Sequence, residues 1–542
     1  MNDKKETNNF IAQAGILAMA GIISRIIGLL YRSPLTGIIG DEGNGYYNYA
    51  INIYAIILLI SSYSIPSALS KLIAGKLAFK EYRNAHRIFH CTLIYVITVG
   101  GIASLFAYVA APFLVVPNAV SVLRIFVPAI FLSGLCGVLR GYFQAHRTMV
   151  QTSISQILEQ IVNAAVSIGA AYALTRLVKD QDATTRAIYG AMGSAIGTGS
   201  GVLMALLFML AMYGINRKVI LKRVRKDKTG KLDSYGDIFK MLLLIVTPFI
   251  LSTFIYNFST SLDQTLYSRL MMQLKGLTQE QTATYYGVFN TKAITIVNIP
   301  IALATAMSAA MMPNVSGLYA RGEMEALKEK VRQAIKVSML VSIPASVGLA
   351  VLAKPVMQIL FPQKVSLDLA SALLCALSVT VVFFSLSTLT MGILQGIGKV
   401  NAPVIHAAVS LVIQALVLVL VLVFTDWNLY GLVLANITYS LLMCILNELR
   451  MRKELGIKQE IRSTFVRPFL CAAGMGLVAR AVYEGLYFIL PVNLPAAIVS
   501  ILVSLVTYLI LVIKTKTVTK EELQGFPKGT TLVGLCEKLH LL

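Results

Sequence analysis

Apolar runs of about 18 or more residues recur from end to end of this chain, among them 92–116, 239–258, 333–353, 400–424 and 494–513. Each, wound as a helix, is long enough to cross a hydrocarbon layer of about 30 Å. The rest of the composition agrees with lipid as the solvent. Of 542 residues, 57% are hydrophobic and 13% charged, and the mean hydropathy is +0.74. Soluble domains carry about 25% charged residues, and half of that cannot cover a water-facing surface on a chain this long. The expected class is an all-α polytopic membrane protein. The N-terminal "MNDKKETNN" leads straight into an apolar helix, with no small-residue cleavage site of the kind that ends a signal peptide.

Turn residues and charge clusters cut the chain into about fourteen transmembrane helices, beginning with 10–39 and 46–78 and including 237–271, 283–319 and 367–397. With the N-terminus placed inside, 31 of the 47 Lys and Arg fall in the alternate segments that would be cytoplasmic, against 6 in the outer loops. By the positive-inside rule both termini are cytoplasmic. The same asymmetry accounts for the net charge of +22, and for basic segments such as "NRKVILKRVRKDKTGK" (216–231), as topology and contact with anionic headgroups. No aromatic-interleaved groove accompanies them, so nucleic acid is not an expected partner.

The two halves echo one another. "LRGYFQAHRTMVQTSISQI" (139–157) aligns with "LQGIGKVNAPVIHAAVSLV" (394–412), matching Leu139 to Leu394 and Gly141 to Gly396. A weaker echo joins 64–87 to 306–329. A duplicated six-helix bundle follows. It has an N-terminal lobe at 1–214, a basic cytoplasmic loop at 215–236 and a C-terminal lobe at 237–453. Two additional transmembrane helices at 454–514 and a cytoplasmic tail at 515–542 complete it. The tail segment "LVGLCEKLHLL" reads as a short amphipathic interfacial helix. Pro66, Pro248, Pro300, Pro313 and Pro344 fall in apolar helices and suggest kinks.

The charges inside the membrane carry the functional signal. Arg25 and Arg32 are seven residues apart, hence only about 20° out of register on one helix face and about 10 Å apart along it. Each costs on the order of 3 kcal/mol by insertion scales and needs a reason. Arg32 can snorkel to the outer headgroups, whereas Arg25 lies too deep and needs either an ion pair or a water-filled cavity. In a cavity, the guanidinium forks suit a phosphate. Ser24 keeps the neighbourhood polar. Asp263 and Lys292 fall near the level of Arg32. Asp263 could pair with one of these cations or coordinate a coupling cation. Lys71 and Glu159 lie nearer the cytoplasmic side, where snorkelling is an equal account. Arg480 and Glu484, four residues apart on one helix, are expected to satisfy each other.

No enzymatic motif is present: no Walker A, G-x-S-x-G or H-E-x-x-H, and the five histidines are spread out without evident partners. The six cysteines are scattered, without C-x-x-C or Cys/His clusters, so neither a disulfide nor a metal site is expected. Gly193, Gly197 and Gly201 repeat every four residues, the pattern of close helix packing in membranes.

"SRIIGLLYRSPLTGIIGDEGNGYYNYAINIY", "IPSALSKLIA", "LRGYFQAHRTMVQTSISQILEQIV" and "LQGIGK" resemble the MurJ/SpoVB-type lipid II flippases. These belong to the polysaccharide-transport branch of the multidrug/oligosaccharidyl-lipid/polysaccharide exporter superfamily. The resemblance runs from residue 10 to about 515. It implies two six-helix lobes around a central cationic cavity, with two C-terminal helices flanking a lipid groove. The implied substrate is undecaprenyl-pyrophosphate carrying the disaccharide-pentapeptide, moved from the inner to the outer leaflet by alternating access. Arg25 and Arg32 match the helix 1 arginines that bind the pyrophosphate in such flippases, and Lys292 stands close to the basic residue of helix 8. Helix 2 offers only Lys71 where other members carry arginine, and Asn163 stands where relatives often have one. No cofactor is implied, and coupling to membrane potential or to a monovalent cation stays open. Cell-wall synthesis or division proteins are implied as partners. A flippase for another undecaprenyl-linked glycan, such as a capsule, teichuronic-acid or exopolysaccharide unit, stays open as an alternative. So does a cation-coupled multidrug antiporter.

Overall fold

The computed structural model describes residues 2–518 except 60, 62–64, 147, 226, 228, 230, 231, 364 and 458. Side chains are described from residue 19, apart from 67, 78, 245–253, 255–257, 309, 310 and 313. The C-terminal tail segment, Cys536, and the side chains of Pro248 and Pro313 lie outside these residues.

The described chain forms two compact units, Met1–Gly287 and Val288–Leu542. The first holds α1 (Asn2–Leu58), α2 (Ile65–Ala78), α3 (Tyr82–Tyr95), α4 (Gly101–Leu114) and α5 (Val120–Ala145), followed by α6 (Val150–Leu177), α7 (Ala183–Arg225), α8 (Tyr235–Leu274) and α9 (Gln279–Gly287). The second holds α10 (Thr295–Ala320), α11 (Met324–Val351), α12 (Ala353–Leu360), α13 (Leu367–Leu377) and α14 (Thr380–Gly396). It continues with α15 (Asn401–Phe424), α16 (Leu429–Leu455), α17 (Arg467–Ile489) and α18 (Asn493–Lys514). Short π-helical stretches at Val96–Gly100, Val288–Ile294 and Arg462–Val466 interrupt the α geometry.

Burial within each unit follows the rules of lipid rather than water. In α15 the buried residues include Ser410 and Gln414, whereas Ile405, Val412 and Leu416 face outward. These polar side chains look inward beside Leu418 and Leu422 while other large apolar ones face outward, since hydrocarbon offers no drive to hide every leucine. Among the described residues, eleven helical stretches are long and apolar enough to cross a bilayer. The α13–α14 pair, bent by 44°, makes a twelfth as one broken span. The expected helix 367–397 is therefore two pieces. The count of fourteen is not reached, for two reasons. Part of α8 lies among the side chains not described, and the apolar stretch Met19–Leu58 counts once although it is 40 residues long. At 1.5 Å per residue that stretch is about 60 Å, twice a hydrocarbon core.

A break at Gly40 divides it. There φ is +70° and ψ −178°, a backbone that L side chains rarely adopt. The break frees carbonyls that lipid cannot satisfy, and Asn44 takes over, donating from Nδ2 to the Gly40 carbonyl at 2.8 Å and to Thr36 Oγ1 at 3.0 Å. Asn44→Ala should therefore cost about 1–3 kcal/mol by orphaning a buried acceptor. Thermal unfolding in detergent would read this as a lowered midpoint, and an unchanged midpoint would contradict it.

The internal repeat recurs in the packing. A Cβ on Gly141 would sit 2.8 Å from the Pro66 carbonyl oxygen, so α5 rests directly on the backbone of α2. A Cβ on Gly396 would sit 2.9 Å from Val315 Cγ1, so α14 packs closely on the Val315 side chain of α10. Pro66 itself is the second residue of α2, where a missing N–H breaks no helix bond. Methyl groups on Gly193, Gly197 or Gly201 would overlap Ala171, Ser167 and the Glu159 carbonyl respectively. The four-residue glycine period is the α6–α7 seam, as the sequence suggests.

Part of the basic segment after α7 is fastened to the first unit. Lys76 pairs with Glu81 at 3.0 Å and Asp233 at 2.6 Å, and Arg87 donates to the Asp233 carbonyl at 2.9 Å. Asp227 accepts from the Arg83 backbone N–H at 2.7 Å and from the Thr229 N–H at 2.9 Å. Burial alone would raise the Asp227 pKa, but these hydrogen bonds and the Arg83 charge outweigh it and hold the carboxyl below its ordinary value. A depressed carboxylate pKa stabilises the anchored loop above the ordinary Asp range, and that stability is lost as pH falls through the folded value. Asp227→Asn should accordingly speed limited proteolysis at 226–232 at pH 7. At a pH below the folded value, the wild type and the variant should be cut alike.

Candidate functional site

The stripe on α1 comes from helical spacing alone. Arg25 and Arg32 lie on one face with Gly28 between them, and a Cβ on Gly28 would come no nearer than 3.9 Å to Gln160 Oε1 of α6. Arg25 is exposed, and no hydrogen bond or ion pair to it is found among the described residues. Of the two structural accounts of an arginine at that depth, the ion pair is therefore not what holds it. The neighbouring Ser24 is half-buried, and its Oγ is buried without a hydrogen-bond partner among the described residues. Arg32 is half-buried and within electrostatic reach of Tyr47. Beside it Tyr31 accepts from Asn163 Nδ2 at 3.4 Å, Asn163 Oδ1 accepts from Ser167 Oγ at 2.9 Å, and Tyr47 meets Thr198 at 3.2 Å. Asn163 thus belongs to a hydroxyl–amide cluster joining α1, α6 and α7.

Glu159 is held rather than free. Its Oε2 accepts from Arg140 at 2.7 Å, and Arg140 Nε donates to Ser155 Oγ at 2.9 Å. Both side chains are mostly enclosed, with 17% of Arg140 and 25% of Glu159 accessible. Arg140 is the residue that sequence reasoning passed over. It stood in the quoted "LRGYF", and its partner three turns into the next helix was the missing signal. Lys71 is exposed on α2, while its neighbour Lys76 takes the ion pairs there.

Asp263 on α8 is buried, at 4% exposure, and within electrostatic reach of Tyr286 on α9. It borders a polar layer in which Asn52 bonds Gln264 and Tyr286, Gln264 Nε2 donates to the Tyr49 carbonyl at 3.3 Å, and Ser268 donates to Tyr49 Oη at 2.8 Å. Tyr49 and Tyr286 stack at 5.5 Å. In the second unit, Lys292 is among the most deeply buried side chains, at 1% exposure, and donates to Ser366 Oγ at 2.6 Å. It lies within the seven-residue π-helical stretch Val288–Ile294, a geometry that re-aims side chains and recurs at functional positions. A buried ammonium is costly enough to need a reason beyond packing.

One detail corrects the sequence reading and another bears it out. The histidines are not isolated: the His86 and His90 rings meet edge-on at 4.4 Å, and His406 Nδ1 lies 2.8 Å from Asn447 Oδ1. Arg480 and Glu484 do pair, with Nε to Oε1 at 2.6 Å. No cluster of three or more His, Cys, Asp or Glu suited to a metal is found among the described residues.

Comparison with known proteins gives this arrangement its context. The chain is 25% identical to the lipid II flippase MurJ of Bacillus subtilis (strain 168), over 74% of this chain and 75% of that protein. It is 23% identical to stage V sporulation protein B of the same organism, over 96% and 98%. Among solved structures, a lipid II flippase MurJ in an inward closed conformation superposes with a TM-score of 0.64, covering 91% of this chain and 97% of that one at 15% identity. An inward-facing multidrug transporter of the MATE family also gives 0.64, at 17% identity over 82% and 98%. The fold is therefore shared by lipid-linked precursor and drug transporters alike, and the family model separates them. The model described as "Lipid II flippase MurJ" matches residues 85–496, more than half of the sequence. The chain accordingly belongs to the lipid II flippase MurJ family, a family of multi-pass membrane transporters rather than enzymes.

Proposed function

We propose that this protein moves lipid II, undecaprenyl-pyrophosphate bearing the disaccharide-pentapeptide, from the inner to the outer leaflet by alternating access, with Arg25 and Arg32 as pyrophosphate ligands. The observation that carries the reading is Arg25, an exposed guanidinium within the candidate membrane span Met19–Leu58, with no protein partner among the described residues. A bare guanidinium in hydrocarbon would be expelled, so water or an anionic ligand must meet it for part of the cycle. A pyrophosphate presents oxygens in pairs that match the guanidinium fork. The Ser24 hydroxyl beside it, buried and without a hydrogen-bond partner among the described residues, offers a further donor. Lys292, which donates to Ser366 Oγ, is a second cationic position, and Lys71 an entry contact at the cytoplasmic end. Asp263, buried beside tyrosines, suits a coupling cation, with membrane potential as the other driving force. Both termini lie in the cytoplasm, on the charge asymmetry of the loops, and two six-helix lobes with two added helices form the body. Wall-synthesis or division proteins are its expected neighbours.

A second reading, transport of another undecaprenyl-linked glycan, draws on the sporulation-named relative, which aligns over more of the chain than the flippase does. Expression in a bacterium depleted of its own lipid II flippase separates the two. Restored growth with lipid II exposed on the outer leaflet supports the first reading. Good membrane expression without rescue favours the second.

A further inference from the structure

Between α3, α5 and the C-terminal part of α7, the first unit holds a cavity of about 440 Å³. Its size is that of a small-molecule site. Leu93, Leu135, Leu139 and Leu206 form the walls, and Leu210, 48% exposed, stands where the cavity meets the outer surface of the unit. The other end of the lining is polar: His86, His90, Tyr213 and Arg217. Arg217 and its neighbour Lys218 are exposed. α7 is 43 residues long, about 65 Å, so its basic last turns, with Lys222, Arg223 and Arg225, run past the hydrocarbon into the headgroup layer. A cavity with leucine walls and a polar end beside those basic turns suits the boundary between acyl chains and headgroups.

The polar end is built rather than incidental. His86 Nδ1 is buried and has no hydrogen-bond partner among the described residues. His90 Nδ1 is engaged by the His86 carbonyl at 2.9 Å, which leaves its Nε2 for a ligand. His86 also borders a smaller cavity lined by His146 and Arg223, so the cations lining this end are Arg217 and Arg223. Buried polar groups left without partners are rare, and a ligand at the polar end would answer this one.

We propose that this cavity is a binding site for an anionic glycerophospholipid, with one acyl chain along the leucine walls, the phosphate on Arg217 and the headgroup hydroxyls at His86 and His90. A zwitterionic lipid would bring its own cation against Arg217, and a free phosphate would leave the apolar walls empty. The occupant is thus an amphiphile with net negative charge. The site is separate from the Arg25 stripe, and its test does not depend on what the protein transports.

The full-length protein, delipidated in detergent, would be titrated with phosphatidylglycerol or phosphatidylcholine of the same acyl chains and read by native mass spectrometry. One phosphatidylglycerol should be retained in preference to phosphatidylcholine, and Arg217→Gln combined with His90→Gln should weaken that retention about tenfold. Leu210→Trp, which places bulk at the cavity's opening without touching its charges, should lower retention of both lipids. Lys330→Gln, an exposed cation in the second unit, should change nothing. A phosphatidylglycerol carrying a photoactivatable acyl chain should label the peptides around Leu135 and Leu206. Equal retention of the two lipids would overturn the proposal, as would an unaffected Arg217/His90 variant or labelling confined to other helices. So would exclusive binding of undecaprenyl phosphate.

Discussion

Arg25→Ala should lower lipid II flipping by about 100-fold while leaving the protein in the membrane. A bidentate charge-assisted pair to a phosphate contributes about 3 kcal/mol, and its loss appears as that factor in the rate of a step that depends on it. Folding cannot supply an alternative explanation of the loss. Removing an arginine at that depth makes insertion easier by about 3 kcal/mol, and among the described residues Arg25 holds no partner that would be orphaned. Arg25→Lys should recover only part of the activity, since an ammonium keeps the charge but not the fork. Arg32→Ala should be milder, because Arg32 is half-buried among hydroxyl groups that remain after its removal. The measurement is complementation of a flippase-depleted strain, with membrane abundance followed in parallel. Wild-type rescue by well-expressed Arg25→Ala would sink the pyrophosphate role.

Why Arg25 could be singled out from sequence, while the partner of Glu159 could not be found there, comes down to which information is local. Two arginines seven residues apart share a face by helical geometry, with no knowledge of the fold. The glycine period at 193–201 is local in the same sense, and so is the membrane class of the whole chain. The Gly40 break was legible as a boundary because "GDEGNG" is a poor helix interior, although Asn44 bridging back to Gly40 was not. The Arg140–Glu159 pair needs α5 to return beside α6 at one register, and nothing in either helix states that register. The same holds for His406 against Asn447, 41 residues apart, and for Lys292 against Ser366, 74 apart. The π-helical stretch around Lys292 has no composition of its own, because one extra residue per turn is a response to packing rather than a propensity. Charge pattern gave the candidate cations. Which of them are already satisfied by the protein is a property of tertiary structure.

That distinction yields the second large effect. If Glu159 were a substrate contact, Glu159→Ala would reduce transport and leave stability alone. Its 2.7 Å pairing to Arg140, with both groups mostly enclosed, predicts a different pattern. Glu159→Ala should destabilise the protein by about 2–3 kcal/mol, because a largely buried guanidinium is left facing only Ser155. Arg140→Ala alone should cost a similar amount through the stranded carboxylate. Replacing both by apolar residues of similar volume, Arg140→Met with Glu159→Leu, should restore most of the loss, since the desolvation penalty goes with the charges. The double-mutant cycle, read by thermal unfolding in detergent, should therefore show strong coupling. Transport in the double variant then decides between roles. Retained flipping would make the pair a fastener of α5 to α6. Lost flipping in a stable double variant would mean that Arg140 leaves Glu159 during the cycle to meet the substrate itself. Independent, additive effects on stability would show that the pair does not hold these helices at all.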